Sequence, residues 1–120
     1  MTAALRERLA RICLALPGAE RTISGSHWTL RARKKVFAYL MDDHHGDGIL
    51  SLACRVGPGD NNALVAAQPQ RFYLPAYIGP RGWVALRLDR GPLDWAEVRE
   101  LVDESYRLTV GRRNGSRQIP

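Results

Sequence analysis

At Trp28 the hydrophobic period of this sequence changes from about 3.6 residues to two, and that change dictates most of what the chain can fold into. Trp28, Leu30 and Ala32 alternate with Thr29, Arg31 and Arg33, and after Lys34 and Lys35 the run VFAYLM resumes. Successive side chains of a strand point to opposite faces, so the stretch predicts a hairpin with one apolar side and one basic side. The turn DDHHGDG leads into ILSLACR, a third strand. Three antiparallel strands in succession make a meander, and a meander with one apolar face needs helices to cover it.

Helical spacing stands at both ends of the chain. Leu5, Leu9, Ile12, Cys13 and Leu16 trace one stripe, with Thr2 placed to cap its start and Pro17-Gly18 to end it. Near the other end, Asp94 with Glu97 three residues on reads as an Asp-led capping box ahead of Trp95, Val98, Leu101, Val102 and Tyr106. Between them Asp60 is placed to cap a short helix through Leu64, Val65 and Ala67 that Pro69 stops. The loop RFYLPAYIGPRGWVALRL then runs into a further strand, WVALRL. This order predicts an α+β fold: an antiparallel sheet with two long helices packed on one face and its other face open to a partner. With 120 residues, 45% of them hydrophobic, there is material for one core. Residues 1–110 read as one domain and residues 111–120 as a flexible basic tail.

The net charge of +6 invites an anionic partner, but Arg107, Arg112, Arg113 and Arg117 supply four of those charges and leave the body at +2. What matters is where the body's cations sit. Alternation puts Arg31 and Arg33 on one strand face, with Lys34 and Lys35 at the adjoining turn, a wing that fits a phosphate backbone. Arg55, Arg81 and Arg87 extend the patch if their strands neighbour the hairpin. No apolar run reaches the roughly 20 residues of a membrane helix, so the expectation is a cytoplasmic protein with no membrane partner. Cys13 and Cys54 lack metal-ligand spacing and read as buried, reduced thiols. The pair His44-His45 sits among Asp42, Asp43 and Asp47, yet no further group completes a first shell, so no metal site is assigned. His27 has no nucleophile or carboxylate spaced to partner it, and phosphate-binding glycine motifs are missing. The expectations are no enzyme activity and no cofactor.

The loop Arg71–Leu88 is built for rigidity: Pro75 and Pro80 fix φ, Gly79 and Gly82 permit turns, and Tyr77 and Trp83 supply ring area to clamp it. Such a loop serves packing, or it forms with His27 a small pocket beside the sheet for a ligand or protein partner; His27, Tyr77 and Trp83 are the residues of that alternative.

The same loop resembles, in YLPAYIGPRGWVALRLD, the Pro-x-Tyr-x-Gly-x-x-Gly-Trp-Val pattern of the MmcQ/YjbR-like family of small bacterial proteins. LALPGAE, GSHWTLR, KKVFAYL, LSLAC, the Gln-Pro-x-Arg-Phe-Tyr approach and DWAEVRELVDESYRL follow in the family order, so the resemblance spans nearly the whole chain to Val110. It implies a frataxin-like (CyaY-like) fold and a DNA-binding role through a double-wing arrangement, in a protein expected to be a monomer. The chain departs from the pattern at Trp28, where Pro is usual, at Leu30, where Phe is usual, and at Ala53, where a Lys often precedes the Cys. Arg55 faces the same side of the strand as Ala53 and offers a replacement charge.

Overall fold

A computed structural model describes residues 2–43 and 46–111. The chain runs α1 (Thr2–Leu14), β1 (Glu20–Ser24), β2 (His27–Ala32), β3 (Lys35–Asp42), β4 (Leu50–Arg55), α2 (Asp60–Ala67), β5 (Phe72–Tyr73), β6 (Trp83–Arg87) and α3 (Trp95–Tyr106). The fold is α+β: one open antiparallel sheet in the order β1-β2-β3-β4-β6-β5, with three α-helices and α3 packed on the sheet. The predicted meander is present and gains an edge strand, β1, whose five residues are all exposed. Among the described residues no helix is long and apolar enough to cross a membrane.

The core forms where alternation meets α3. Leu30 lies opposite Ala38, Leu40 opposite Leu52, and Leu52 opposite Leu86, so four strands present one apolar row. Val98, Leu101 and Val102 of α3 close on it, and Leu9, Ile12 and Cys13 of α1 join the same cluster. Asp94 caps α3 as expected, its carboxylate accepting from the amides of Ala96 and Glu97. The reciprocal half of the capping box is absent, because the Glu97 carboxylate is taken by Arg71. Asp60 is not a cap either: Gly59 holds that position in the left-handed conformation and Asp60 is the first helical residue. Thr2 is already helical, so it does not precede α1 as a cap would.

A bulge between β2 and β3 changes the facing of one residue. Leu30 pairs with Ala38 but Arg31 pairs with Val36, which leaves Phe37 as the extra residue. Phe37 is buried together with Ala38 and meets the Tyr106 ring edge-on at 5.5 Å. Ser105, fully buried on α3, donates its hydroxyl to the carbonyl of Phe37 and accepts from the amide of Arg55 at 2.8 Å. One hydroxyl therefore joins the bulge, the end of β4 and α3.

Cys13 and Cys54 are free and buried in this core. Burial pushes the Cys13 thiol up to about 12, against a slight lowering by Arg21, and raises Cys54 as well. Folded, both stay neutral at a pH where unfolded thiols ionise, near 9.0. Their contribution is thus complete below pH 9 and is lost as pH rises above it, for Cys13 until about 12. Urea midpoints should decline above pH 9, and Cys54→Ala should flatten part of that decline. An alkaline limb indifferent to Cys54→Ala would mean that the thiol is not protected.

Candidate functional site

The face opposite α3 is not open along its length. Ser51, Ala53, Ala85 and Trp83 point to it and are each less than 5% exposed. The segment Tyr73–Gly82 roofs this face, and two concavities flank the roof. The predicted rigid loop is thus a cover over the sheet.

The roof is tied down by named bonds. Asn61, itself buried on α2, donates through Nδ2 to the carbonyls of Gly79 at 2.8 Å and Trp83 at 3.2 Å. Gly79 donates to the Pro75 carbonyl at 2.8 Å, and a Cβ at Gly79 would come within 3.1 Å of the Leu74 Cβ, so a side chain there would make Leu74 give way by a few tenths of an ångström. Asn61 carries no motif that would mark it in the sequence. Trp83 packs beneath, its ring 5.4 Å from that of Tyr39.

At one end of the sheet the strand register gathers cations. Ala32 pairs with Lys35, so the hairpin turn is the two residues Arg33 and Lys34, with φ of 54° and 67°. Positive φ at both positions matches the turn that follows strand twist, and it is usually filled by Asn-Gly. This corrects the expected facing: Arg33 belongs to the turn and not to the strand, and Lys35 opens β3. Arg31 stays on the roofed side of β2 and donates to Thr22 Oγ1 at 3.1 Å. Arg55 lies on the same side at the matching end of β4, its guanidinium 5.1 Å over the Trp83 ring. Its Nε is buried and meets no acceptor among the described residues. Arg81, on the 3₁₀ turn Gly79–Arg81, is exposed and shares with Arg55 a cleft of about 650 Å³. No acid pairs with any of these six cations among the described residues.

Arg87 does not belong with them. It pairs with Ser51, four residues along β6 from Trp83, which places it about 13 Å away at the rise of a strand. There its guanidinium grips Asp89 through two bonds of 3.0 and 3.1 Å, which holds the Asp89 carboxyl below the usual range. Arg87 is neutralised where it stands.

At that other end lies the second concavity, a groove of about 650 Å³. His27 and Tyr77 line it, as the pocket alternative expects, but Trp83 does not: it is packed under the roof. His27 donates Nε2–H to the Asp42 carbonyl at 2.8 Å. In the β3–β4 turn, the Asp43 and Asp47 carboxylates accept from the amides of Gly48 and Ile49, so they serve the turn's own backbone. His44 and His45 lie outside the described residues, as do Arg112, Arg113, Arg117 and the rest of 112–120. Among the described residues no three His, Cys, Asp or Glu side chains gather as a metal would require.

Comparison with known proteins agrees with this architecture. The YjbR family model matches residues 14–108. The crystal structure of a Deinococcus radiodurans protein with the domain DUF419 superposes with a TM-score of 0.70 at 24% identity, covering 86% of this chain and 76% of that one. A Pseudomonas syringae protein superposes at 0.66 with 18% identity, over 87% of this chain and 97% of that one. At such identities the likeness is one of fold. No curated protein matches the chain.

Proposed function

This chain belongs to the YjbR family, and from that premise we propose that it is a monomeric, non-catalytic module that holds the phosphate backbone of duplex DNA against one end of its sheet. The matched residues, 14–108, contain the hairpin and the roof and stop short of the arginines at 112, 113 and 117, so the cationic end belongs to the family domain. In this reading the two long helices cover the opposite face in a frataxin-like (CyaY-like) arrangement, and the Arg33-Lys34 turn is a wing.

The observation that carries the proposal is the gathering of Arg31, Arg33, Lys34, Lys35, Arg55 and Arg81 at one sheet end without an acid paired to any of them among the described residues. Two details support it. Arg33 and Lys34 accept a left-handed backbone where glycine or asparagine would be relaxed, a cost that goes with function. Arg55 and Arg81 line one open cleft at this end, where a phosphate oxygen could meet both guanidinium groups. Contacts of this type position a protein on DNA without reading its sequence.

The test is duplex affinity as a function of salt in the full-length chain. Changing Arg31, Arg33, Lys34 and Lys35 to Ala should flatten the log–log salt slope by about 0.9 for each lost phosphate contact, and at about 0.1 M salt should weaken binding on the order of 100-fold. Arg87→Ala should leave the slope alone. Arg112, Arg113 and Arg117 changed to Gln control for a basic arm. Circular dichroism checks that each variant folds. A slope untouched by the four substitutions, or binding lost with the arm alone, sinks the proposal.

A further inference from the structure

The groove at the far end of the roofed face has a chemistry opposite to that of the cationic end. Its floor is Thr29, Tyr39 and Met41 on β2 and β3, and its wall is the roof segment from Tyr73 to Ile78. A volume of about 650 Å³ falls in the range of small-molecule sites. The chain carries 18 lysines and arginines, yet among the described residues lining this groove there is none. Asp47 and His27 stand in this lining with three tyrosines, Tyr39, Tyr73 and Tyr77, and the hydroxyl residues Ser24 and Thr29.

We propose that this groove binds a flat aromatic molecule bearing a single positive charge, an aromatic amine. Anions are disfavoured because the described lining offers no lysine or arginine to offset the hydration that a negative charge would lose. A cation gains from the Asp47 carboxylate and from the faces of tyrosine rings, which attract positive charge. The apolar surface of Met41, Leu74, Pro75 and Ile78 asks for a planar hydrocarbon body.

Tyr77 marks the rim. The Ile78 amide donates to the Ala76 carbonyl at 2.7 Å, closing a γ-turn on Tyr77, whose φ of 69° is of the rarer and more strained hand. Its side chain is 83% exposed. A tyrosine held on a backbone that favours glycine is the kind of strained residue found at ligand clamps. The wall behind it is fixed by the Pro75–Gly79 and Asn61–Gly79 bonds, so the groove is formed before a ligand arrives.

Three probes of one shape and different charge test this: tryptamine, indole and indole-3-acetate, titrated into the full-length chain and followed by amide and methyl NMR shifts. Tryptamine should saturate with shifts at Thr29, Tyr39, Met41 and residues 74–78, and bind about tenfold tighter than indole and more than that over indole-3-acetate. Asp47→Asn should bring tryptamine down to the level of indole. Tyr77→Gly, which suits the backbone at that position and so keeps the turn, should weaken all three by about threefold or more. The proposal is overturned if no probe gives saturable shifts at about 1 mM, if charge makes no difference, if indole-3-acetate binds best, or if the shifts map to the Arg55–Arg81 end.

Discussion

Replacing Trp83 by Ala should destabilise the domain by about 3–5 kcal/mol, the usual cost of deleting a large buried ring. Trp83 is 4% exposed, lies 5.4 Å from the Tyr39 ring and carries the Arg55 guanidinium at 5.1 Å. Small domains are held by about 5–15 kcal/mol, so the loss is a large part of the total. Urea unfolding measures it directly. Trp83→Phe should cost clearly less, because a ring remains under the roof. A Trp83→Ala change below about 1 kcal/mol would mean that the ring is free for stacking on a ligand and that packing is not its role.

Ser105→Ala should cost about 2–4 kcal/mol and lower the melting temperature by roughly 10 °C. The change removes few contacts, so the cost comes from what it strands: the Phe37 carbonyl and the Arg55 amide, both served by the one hydroxyl. An unpaired buried backbone group costs about 1–3 kcal/mol. Thermal melts decide it. A midpoint within about 2 °C of the parent would show that water enters and replaces the hydroxyl.

Hydrophobic periodicity is enough to make the helices and the central strands legible in the sequence. The stripe from Trp95 to Tyr106 and the stripe of α1 both face the core as spaced. Strand β1 is hidden for a physical reason: all five of its residues are exposed, so no alternation marks it. The bulge at Phe37 hides too, since VFAYLM read with strict alternation sends Phe37 to the side of Tyr39, whereas it turns to the side of Ala38. The density of Pro, Gly and aromatics announces a rigid loop between Tyr73 and Trp83, but not that it lies over the sheet, because that depends on Asn61 from another element. At the candidate site, local alternation places Arg31. It offers no means of separating Arg87 from Arg55, because pairing of β6 beside β4 is non-local and sets which end each arginine reaches.

The strand order β1-β2-β3-β4-β6-β5 also has a consequence in time. The first four strands are neighbours in sequence as well as in space, so their closures are short and entropically cheap. Strand β6 and helix α3 attach only through long closures; the Ser105–Phe37 bond alone spans 68 residues. Folding is therefore expected to start in the meander, with the hydroxyl of Ser105 fastening a structure already assembled. In a chevron plot the loss from Ser105→Ala belongs mainly to a faster unfolding rate, with refolding nearly unchanged. A slower refolding limb would instead place α3 in the nucleus. On this account the buried serine governs how long the native state lasts, while the meander governs how soon it forms.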